Sequence, residues 1–294
     1  MALSHGSVAH LLPPTVYTRQ VGLWLEEDCP SFDYGGFVVG DTLQSALLLC
    51  KSPGILAGVP FFNEVFRQLE CTVEWHLAEG TDIHPKPTTH VATVRGPARK
   101  ILLGERVALN TLARCSGIAT KSAAMLDLLR KAGYMNILAG TRKTTPGFRL
   151  VEKYGMLIGG CDPHRHDLSQ MTMLKDNHIW ASGNITNAVK AAKATGGFSV
   201  KVEVECQSLE EAHEAVGAGA DVVMLDNFSG DGSKVAARKL KDRWGKSVLV
   251  EVSGGLTTEN VGSYACDGKF VLSHTHGASS FADMESSDRH HLNE

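Results

Sequence analysis

The second half of the sequence alternates short apolar runs with helical stretches, and this alternation constrains the fold more than any other feature. The runs with the length and composition of buried strands are 137–139, 171–174, 198–204, 222–225, 248–252 and 270–272. Helical stretches separate them, among them 148–154, which Gly155 is expected to close. One of these begins at Ser208, followed by glutamate at position 211 in the pattern of a capping box. Apolar strands alternating with helices predict a parallel sheet covered by helices.

The residues that follow the predicted strands favour a barrel over an open sheet. Charged or glycine-rich groups stand at the end of one strand after another: Arg142 and Lys143, Lys175, Glu205, Asp226, and Ser253 with Gly254 and Gly255. The carboxyl ends of barrel strands converge on one mouth, where such groups share a site. A doubly wound sheet, the alternative fold, would spread them along an edge. The sequence therefore predicts an α/β barrel of the TIM type.

The first third of the chain has a different pattern of apolar and polar residues. Helical patterns cover 15–27 and 60–69, whereas 71–76 alternates apolar and polar residues as a half-buried strand does, and 91–94 is a further apolar run. Helices and short strands without a repeat predict a separate α+β domain.

We place the predicted domain boundaries around a long helix, 105–131, that would bridge the two parts. An N-terminal α+β domain spans 1–118 and an α/β barrel spans 119–272, while 273–294 is a polar tail without apolar periodicity, expected to be disordered. Residues 1–14 are expected to be frayed.

Composition and charge exclude several classes of protein. A formal charge of -3 and a pI near 6.5 argue against a nucleic-acid-binding surface, so anion binding should be local to a site. No apolar run approaches the length of a membrane span. The 7 cysteines are scattered and odd in number, which indicates reduced thiols and a cytoplasmic location. Cys161 with His164 and His166 matches no familiar zinc spacing.

The groups predicted at the barrel mouth describe a site for strongly anionic substrates. Cations outnumber carboxylates there: Arg142, Lys143, His164, Arg165 and Lys175 against Glu205 and Asp226. The carboxylates could hold Mg²⁺, contact sugar hydroxyls or face a developing positive charge. The 253–255 turn, ahead of a helix expected near Thr257, would take a monophosphate. These parts suit glycosyl transfer from a phosphorylated sugar. A Schiff-base aldolase using Lys175 is a second enzymatic alternative.

At this point several motifs closely resemble the quinolinate phosphoribosyltransferase family in its vertebrate-like form. The motifs are GERVALN (104–110), GTRKTTPG (140–147), LVEKYG (150–155), HR (164–165), KDNH (175–178), VEVE (202–205), LDN (225–227) and VSGG (252–255). The stretch 26–30 also matches the N-terminal part of that family, and the resemblance covers about residues 15–268. So many ordered motifs make coincidence implausible.

The resemblance implies transfer of phosphoribose from phosphoribosyl pyrophosphate to quinolinate, with release of pyrophosphate and CO₂ and formation of nicotinate mononucleotide for NAD synthesis. It implies the type II phosphoribosyltransferase architecture, in which the barrel of the TIM type is open and incomplete. It also implies Mg²⁺ and no organic cofactor, and a homodimer or higher homo-oligomer such as a hexamer. Neither nucleic acid nor a membrane would be a partner.

The resemblance also implies the roles of individual residues. Catalytic roles fall on Lys143, Lys175, Glu205 and Asp226. Glu205 and Asp226 would also hold the metal, in part through water. Substrate would be bound by Arg106, Thr141, Arg142, Lys143, His164, Arg165 and Lys175, and the 5'-phosphate by Ser253, Gly254 and Gly255. The family's position of Arg106 serves a neighbouring subunit.

The chain departs from the family pattern after about residue 268. The family has there a last strand, an Ile-Ser-x-Gly phosphate loop and a packing helix, whereas this chain reads Lys269-Phe-Val-Leu-Ser-His-Thr-His-Gly277 and then a polar tail. Ser273 or Gly277 could replace part of the loop. The alternative function is therefore a catalytically weak or inactive family member that acts as a subunit of assemblies.

Overall fold

The structure is a computed structural model that describes residues 8–265 and 270–273. These residues pack as two compact units. The first unit contains 8–122 and 145–160, and the second contains 123–144, 161–265 and 270–273. The segment 145–160 thus packs with the first unit, although the predicted barrel domain included it. Most of the predicted tail, 274–294, lies outside the described residues.

The first unit combines helices with two small sheets. Its helices are α1 (Pro14–Asp28), α2 (Tyr34–Val39), α3 (Val59–Gln68), the long α4 (Ala98–Lys131), which continues into the second unit, and α5 (Arg149–Ile158). Its strands are β1 (Leu43–Cys50), β2 (Gly54–Ile55), β3 (Thr72–Trp75), β4 (Asp82–Ile83) and β5 (Thr89–Pro97). One antiparallel sheet has the order β1-β5-β3, and β2 pairs with β4. This α+β content is as the sequence predicted.

Three details of the first unit differ from the predictions. Residues 8–12 are ordered around a 3₁₀ turn (Ala9–Leu11), because Val8 and Leu12 are buried in an apolar cluster. Strand β1 was missed. The predicted stop of α5 at Gly155 was wrong. The helix continues to Ile158, and a Cβ at Gly155 would lie 2.8 Å from the Cys115 carbonyl oxygen, so this glycine permits close helix packing.

The second unit is built on a six-stranded parallel sheet with the order β6-β11-β10-β9-β8-β7. The strands are β6 (Leu138–Ala139), β7 (Met171–Leu174), β8 (Lys201–Cys206), β9 (Val222–Asp226), β10 (Leu249–Ser253) and β11 (Val271–Ser273). Between them run α6 (Asp176–Ser182), α7 (Ile185–Gly196), α8 (Leu209–Ala218), α9 (Gly230–Trp244) and the short α10 (Val261–Tyr264). All the strands predicted from the alternating pattern form.

Within the described residues, the edge strands β6 and β7 do not pair with each other, so the sheet is open there, as expected of an incomplete barrel. On its free side, β6 has a single parallel bridge from Ala139 to Asp162. The segment that follows, 163–170, leads to β7. His164 and Arg165 lie in this connecting segment, where the Arg165 side chain contacts the start of β7 and the His164 ring contacts Glu251 of β10.

The strand that follows the sequence departure also forms. Val271 pairs with Glu251 of β10, and Leu272 pairs with both Val252 and Leu138 of β6. Phe270 and Leu272 are buried, which explains the pairing, because an apolar strand with neighbours on both sides removes its backbone groups and side chains from water.

Candidate functional site

Register brings the carboxyl ends of three neighbouring strands into one row. Asp226 of β9 lies opposite Ser253 of β10. Because Val252 is paired with Leu272, Ser253 is followed in the same row by Ser273 of β11. Ser253 and Ser273 are buried, and the Ser273 hydroxyl has no hydrogen-bond partner in the described part of the chain. The mouth therefore offers a row of polar groups where the sequence predicted it.

Lys175 and the two carboxylates form the centre of this mouth. Lys175, the residue after β7, donates from Nζ to Oε2 of Glu205 on β8. Asp226 ends the next strand, where Gln207 and Asn227 approach its Oδ2 at 3.5 and 2.6 Å. Burial and the Glu205 charge raise the pKa of Asp226, against the opposite effect of Lys175 and Lys143. Two carboxylates that disfavour each other's charge suit a divalent cation.

The loop after β6 holds the paired cations. Arg142 is half-buried, its Nε has no acceptor among the residues that the structure describes, and Lys143 is exposed. The Lys143 amide donates to Thr141 Oγ1 at 3.2 Å, which tightens the turn. An unpaired, buried Nε is costly unless an anion arrives, so Arg142 fits the predicted binding role.

Arg165 lies near Arg142 in the second unit. Its Nη1 donates to the Met171 carbonyl at 3.1 Å and its Nη2 contacts the Met173 sulfur at 3.4 Å. Burial and then the charge of Arg142 lower the pKa of Arg165, although a guanidinium stays protonated at neutral pH. A ligand with two negative charges would offset the electrostatic repulsion between these two guanidinium groups.

Two buried glutamates, Glu203 on β8 and Glu251 on β10, were missed as functional candidates. Burial and the neighbouring Glu251 raise the pKa of Glu203 well above its usual range. His164 Nε2 lies 3.2 Å from Glu251 Oε2 and 3.8 Å from Glu203 Oε2. These three side chains are close enough to share a metal ion. The sequence held a signal for them. Each glutamate stands two residues before a polar residue that ends its strand, Glu205 or Ser253, and residues two apart in a strand lie on the same face.

The turn after β10 has the backbone expected of an anion-binding loop. Gly254 and Gly255 both have positive φ, at 106° and 60°. A Cβ at Gly254 would lie 2.8 Å from the Asn227 backbone nitrogen, which itself donates to the Ser253 carbonyl at 3.1 Å. Only glycine allows this approach, so the two strand ends are held together here.

The predicted helix start near Thr257 was wrong. The helix α10 begins at Val261 and has 4 residues. The reason is the Asn260 side chain, which accepts from the Thr257 amide and donates to the Gly255 carbonyl, both at 2.7 Å, and folds the intervening residues into a turn. Any phosphate bound at 253–255 would therefore rest on loop amides and not on a helix terminus.

Arg106 is the one predicted site residue that belongs to the first unit. It lies on α4, where its side chain is 42% exposed and stands 3.8 Å from the Glu105 carboxylate. The remaining predicted residues, from Thr141 to Gly255, all lie in the second unit. That unit alone gathers cations, paired carboxylates and a glycine turn, an arrangement that can bind a phosphorylated sugar beside a carboxylate-bearing acceptor.

Family models match almost the whole chain. The model described as "Quinolinate phosphoribosyl transferase, N-terminal domain" matches residues 32–116, and its C-terminal counterpart matches residues 118–285. The "Nicotinate-nucleotide pyrophosphorylase [carboxylating]" of Homo sapiens is 53% identical over 254 residues, covering 86% of this chain and 84% of that protein. The protein of the same name from Dictyostelium discoideum is 47% identical over 272 residues, covering 88% and 90%.

Solved structures agree with this assignment. The nicotinate-nucleotide pyrophosphorylase of Francisella tularensis has a TM-score of 0.80 at 33% identity, covering 91% of this chain and 92% of that one. The structure titled "Crystal Structure of NadC from Streptococcus pyogenes" gives 0.81 at 34% identity, covering 91% and 94%. The predicted fold class is thereby confirmed. The chain belongs to the quinolinate phosphoribosyl transferase family.

Proposed function

We propose that this chain transfers phosphoribose from phosphoribosyl pyrophosphate to the ring nitrogen of quinolinate, with loss of pyrophosphate and CO₂, to give nicotinate mononucleotide. The observation that carries the proposal is the meeting of cations, two carboxylates and a glycine turn at the ends of β6–β10 in a chain of this family. Relatives that share about half of its residues are named for this carboxylating reaction.

Quinolinate carries two adjacent carboxylates, and the cations of the mouth supply complementary donors. Arg142 and Arg165 each offer a planar guanidinium that can bind a carboxylate through two hydrogen bonds. Lys175 offers a further ammonium that a substrate carboxylate would contact beside Glu205. Thr141 completes the proposed donors, and His164 belongs to the set through its contact with the Arg165 amide. Lys143, exposed on the same loop as Arg142, would contact the pyrophosphate.

Glu205 and Asp226 would act on the ribose. As the bond to pyrophosphate lengthens, positive charge develops at the anomeric carbon, and two carboxylates fixed at adjacent strand ends stabilise it. Burial and then the Glu205 charge raise the pKa of Asp226, and the positive charge that develops beside it offsets both effects. The same pair would hold Mg²⁺, and a bound Mg²⁺ would neutralise part of the negative charge of the pyrophosphate. No organic cofactor is proposed.

The acceptor chemistry follows from the same arrangement. The quinolinate nitrogen attacks the anomeric carbon with its lone pair as pyrophosphate departs, which leaves a pyridinium. The C–C bond to the neighbouring carboxylate then breaks, CO₂ leaves, and its electron pair stays on the ring carbon beside the cationic nitrogen. A proton on that carbon completes nicotinate mononucleotide.

A homo-oligomer is part of the proposal, and an exposed apolar surface supports it. Phe37 and Val38 on α2 are 88% and 82% exposed, and Leu43 and Leu47 on β1 are 77% and 59% exposed. Large apolar side chains exposed on two consecutive elements are typical of a surface that a partner covers. Association would also give Arg106 the neighbouring subunit that its family position implies.

A cytoplasmic location is likewise proposed. Cysteines 29, 50, 71, 115, 161 and 206 are all free thiols, as expected in a reducing compartment. Within the described residues, the helices are too short or too polar to cross a membrane.

The test is a quinolinate-dependent assay for pyrophosphate and CO₂ release, run beside a chain in which 269–294 is replaced by the family's usual ending. Activity of the natural chain supports the proposal. Activity only in the restored chain would support the alternative, an inactive subunit, which the comparisons do not favour.

A further inference from the structure

His164 adopts a backbone conformation that demands an explanation. Its φ is 56°, in the left-handed region that residues other than glycine seldom occupy. The His164 amide donates to Asp162 Oδ1 at 2.7 Å, and its side chain is only 9% exposed. A strained backbone persists where surrounding contacts over-determine it, so the contacts of the ring indicate what the strain achieves.

Both ring nitrogens of His164 are occupied. The backbone amide of Arg165 donates to Nδ1 at 2.6 Å, so Nδ1 accepts and carries no proton. The proton therefore lies on Nε2, which donates to Glu251 Oε2 at 3.2 Å. In this tautomer the imidazole is neutral and links a carboxylate inside the barrel to the backbone of Arg165.

We infer that Glu251 is a positioning residue for the quinolinate site, acting through the imidazole of His164 on Arg165. Glu251 fixes the Nε2–H tautomer and the ring orientation, and Nδ1 then holds the Arg165 amide. The guanidinium that follows is aimed along the start of β7, with Nη1 on the Met171 carbonyl at 3.1 Å. This inference rests on the proposed function, because it gives Arg165 a substrate carboxylate to bind.

The arrangement also redefines the role of His164. With Nδ1 accepting from Arg165 and Nε2 donating to Glu251, neither nitrogen is left for a substrate carboxylate. His164 then serves the site by ordering Arg165. A metal ion held by His164, Glu203 and Glu251 would require an unprotonated Nε2 and hence a protonated Nδ1, which the Arg165 amide opposes.

Two substitutions of Glu251 separate positioning by a hydrogen bond from other roles. Glu251→Leu replaces the carboxylate with an apolar side chain of comparable size and so removes the acceptor for Nε2. Glu251→Gln keeps a carbonyl acceptor for Nε2 and adds an amide donor beside Glu203, whose two oxygens have no donor in the structure as described. The glutamine variant should therefore fold and retain the site.

We expect Glu251→Leu to raise the KM for quinolinate at least tenfold while the KM for phosphoribosyl pyrophosphate stays within twofold. Glu251→Gln should restore the quinolinate KM to within about threefold of the natural chain. In a His164→Ala background, Glu251→Leu should add no further change. Equal increases in both KM values, or a glutamine variant as impaired as the leucine variant, would overturn the inference.

The tautomer gives a readout that does not depend on activity or on the leucine variant folding. Long-range ¹H–¹⁵N spectra of ¹⁵N-histidine protein, with the His164 signals assigned by their loss in His164→Asn, should show the Nε2–H form in both the natural chain and Glu251→Gln. An Nδ1–H form, or a shift to it on adding Zn²⁺, contradicts the inference. A natural chain without quinolinate-dependent activity would refute the proposed function while leaving this test intact.

Discussion

The hydroxyl of Tyr134 donates to the backbone carbonyl of Phe270 at 2.6 Å, and the two rings lie 5.8 Å apart between centroids. The same hydroxyl reaches the Ile137 carbonyl at 2.9 Å, just before β6. Tyr134 is fully buried. One side chain thus ties the start of β11, where the sequence departs from its family, to the neighbouring strand of the barrel.

Tyr134→Phe should therefore destabilise the chain while leaving its apolar packing intact. Loss of the hydroxyl removes the donor to the buried Phe270 carbonyl, whereas the Ile137 carbonyl still accepts from the Leu272 amide, and the lost hydrogen bond costs about 1–2 kcal/mol of unfolding free energy. Urea denaturation measures the change. Tyr34→Phe is the matched control, since Tyr34 is 77% exposed, and it should alter stability little. Equal stability of both variants would show that the Tyr134 contact contributes nothing.

Gly254→Ala should destabilise the protein more than Gly255→Ala. Both glycines have positive φ, so alanine is strained at either position. At Gly254 the added Cβ would also lie 2.8 Å from the Asn227 backbone nitrogen, whereas at Gly255 it would meet nothing within 4 Å. We expect a loss of about 1 kcal/mol at Gly255 and a clearly larger loss at Gly254. Thermal or urea unfolding of the two variants measures both losses of stability. Equal losses would show that backbone strain, and not the contact with Asn227, determines the cost of alanine at these positions.

Much of this architecture could be predicted from the sequence because buried strands and helices require apolar residues at regular spacings. The runs 222–225 and 248–252 are continuous and apolar, and the polar residues that end them identify the mouth. Functional side chains in the middle of a strand are harder to recognise from the sequence. Glu203 reads as an ordinary half-buried strand residue, and only the register that places β8 and β10 on either side of β9 shows that it faces Glu251.

Local signals also fail where distant packing decides the outcome. Gly155 has the sequence position of a helix stop, yet the helix continues to Ile158, and the glycine serves there to leave room for the carbonyl of Cys115, forty residues earlier. The strand Leu43–Cys50 was missed because its pattern is governed by pairing with β5 and by an outer face that remains exposed. Such pairings depend on residues far apart in the chain.

Glu64 should make acid unfolding of the first unit pH-dependent. Its hydrogen bonds to Arg67, two at 2.7 Å, hold the pKa of Glu64 below its ordinary value of 4.5. Because the folded-state pKa is lowered, the stabilisation is present above the unfolded pKa and is lost as pH falls through the folded value. Glu64→Gln should reduce stability by about 1 kcal/mol near pH 7 and progressively less below pH about 4.5.

The exposed pair of Glu74 and Arg95 is the control for that experiment. Its two side chains are 55% and 54% exposed, against 4% for Glu64, so water and salt screen it. Glu74→Gln should leave the pH dependence of unfolding nearly unchanged. Parallel curves for the natural chain and Glu64→Gln from pH 7 to pH 3 would contradict the assignment.

Arg142→Ala should abolish quinolinate binding while sparing phosphoribosyl pyrophosphate. Arg142 is half-buried and its Nε has no acceptor among the described residues, so its guanidinium has an unused donor, whereas the proposed phosphate turn at 253–255 belongs to another strand end. Loss of a charge-assisted pair costs about 1.5–3 kcal/mol, a weakening of roughly ten- to a hundredfold or more. Titration calorimetry with each substrate measures both affinities.

Arg238→Ala supplies the matched control for Arg142, since Arg238 is an exposed arginine on α9 of the same unit. It should leave both affinities unchanged, which separates a local role from a general loss of positive charge. Unchanged quinolinate affinity in Arg142→Ala would remove this residue from the binding site. A parallel loss of phosphoribosyl pyrophosphate binding would instead show that the loop after β6 organises the whole mouth, because one guanidinium cannot contact both substrates at separate strand ends without moving that loop.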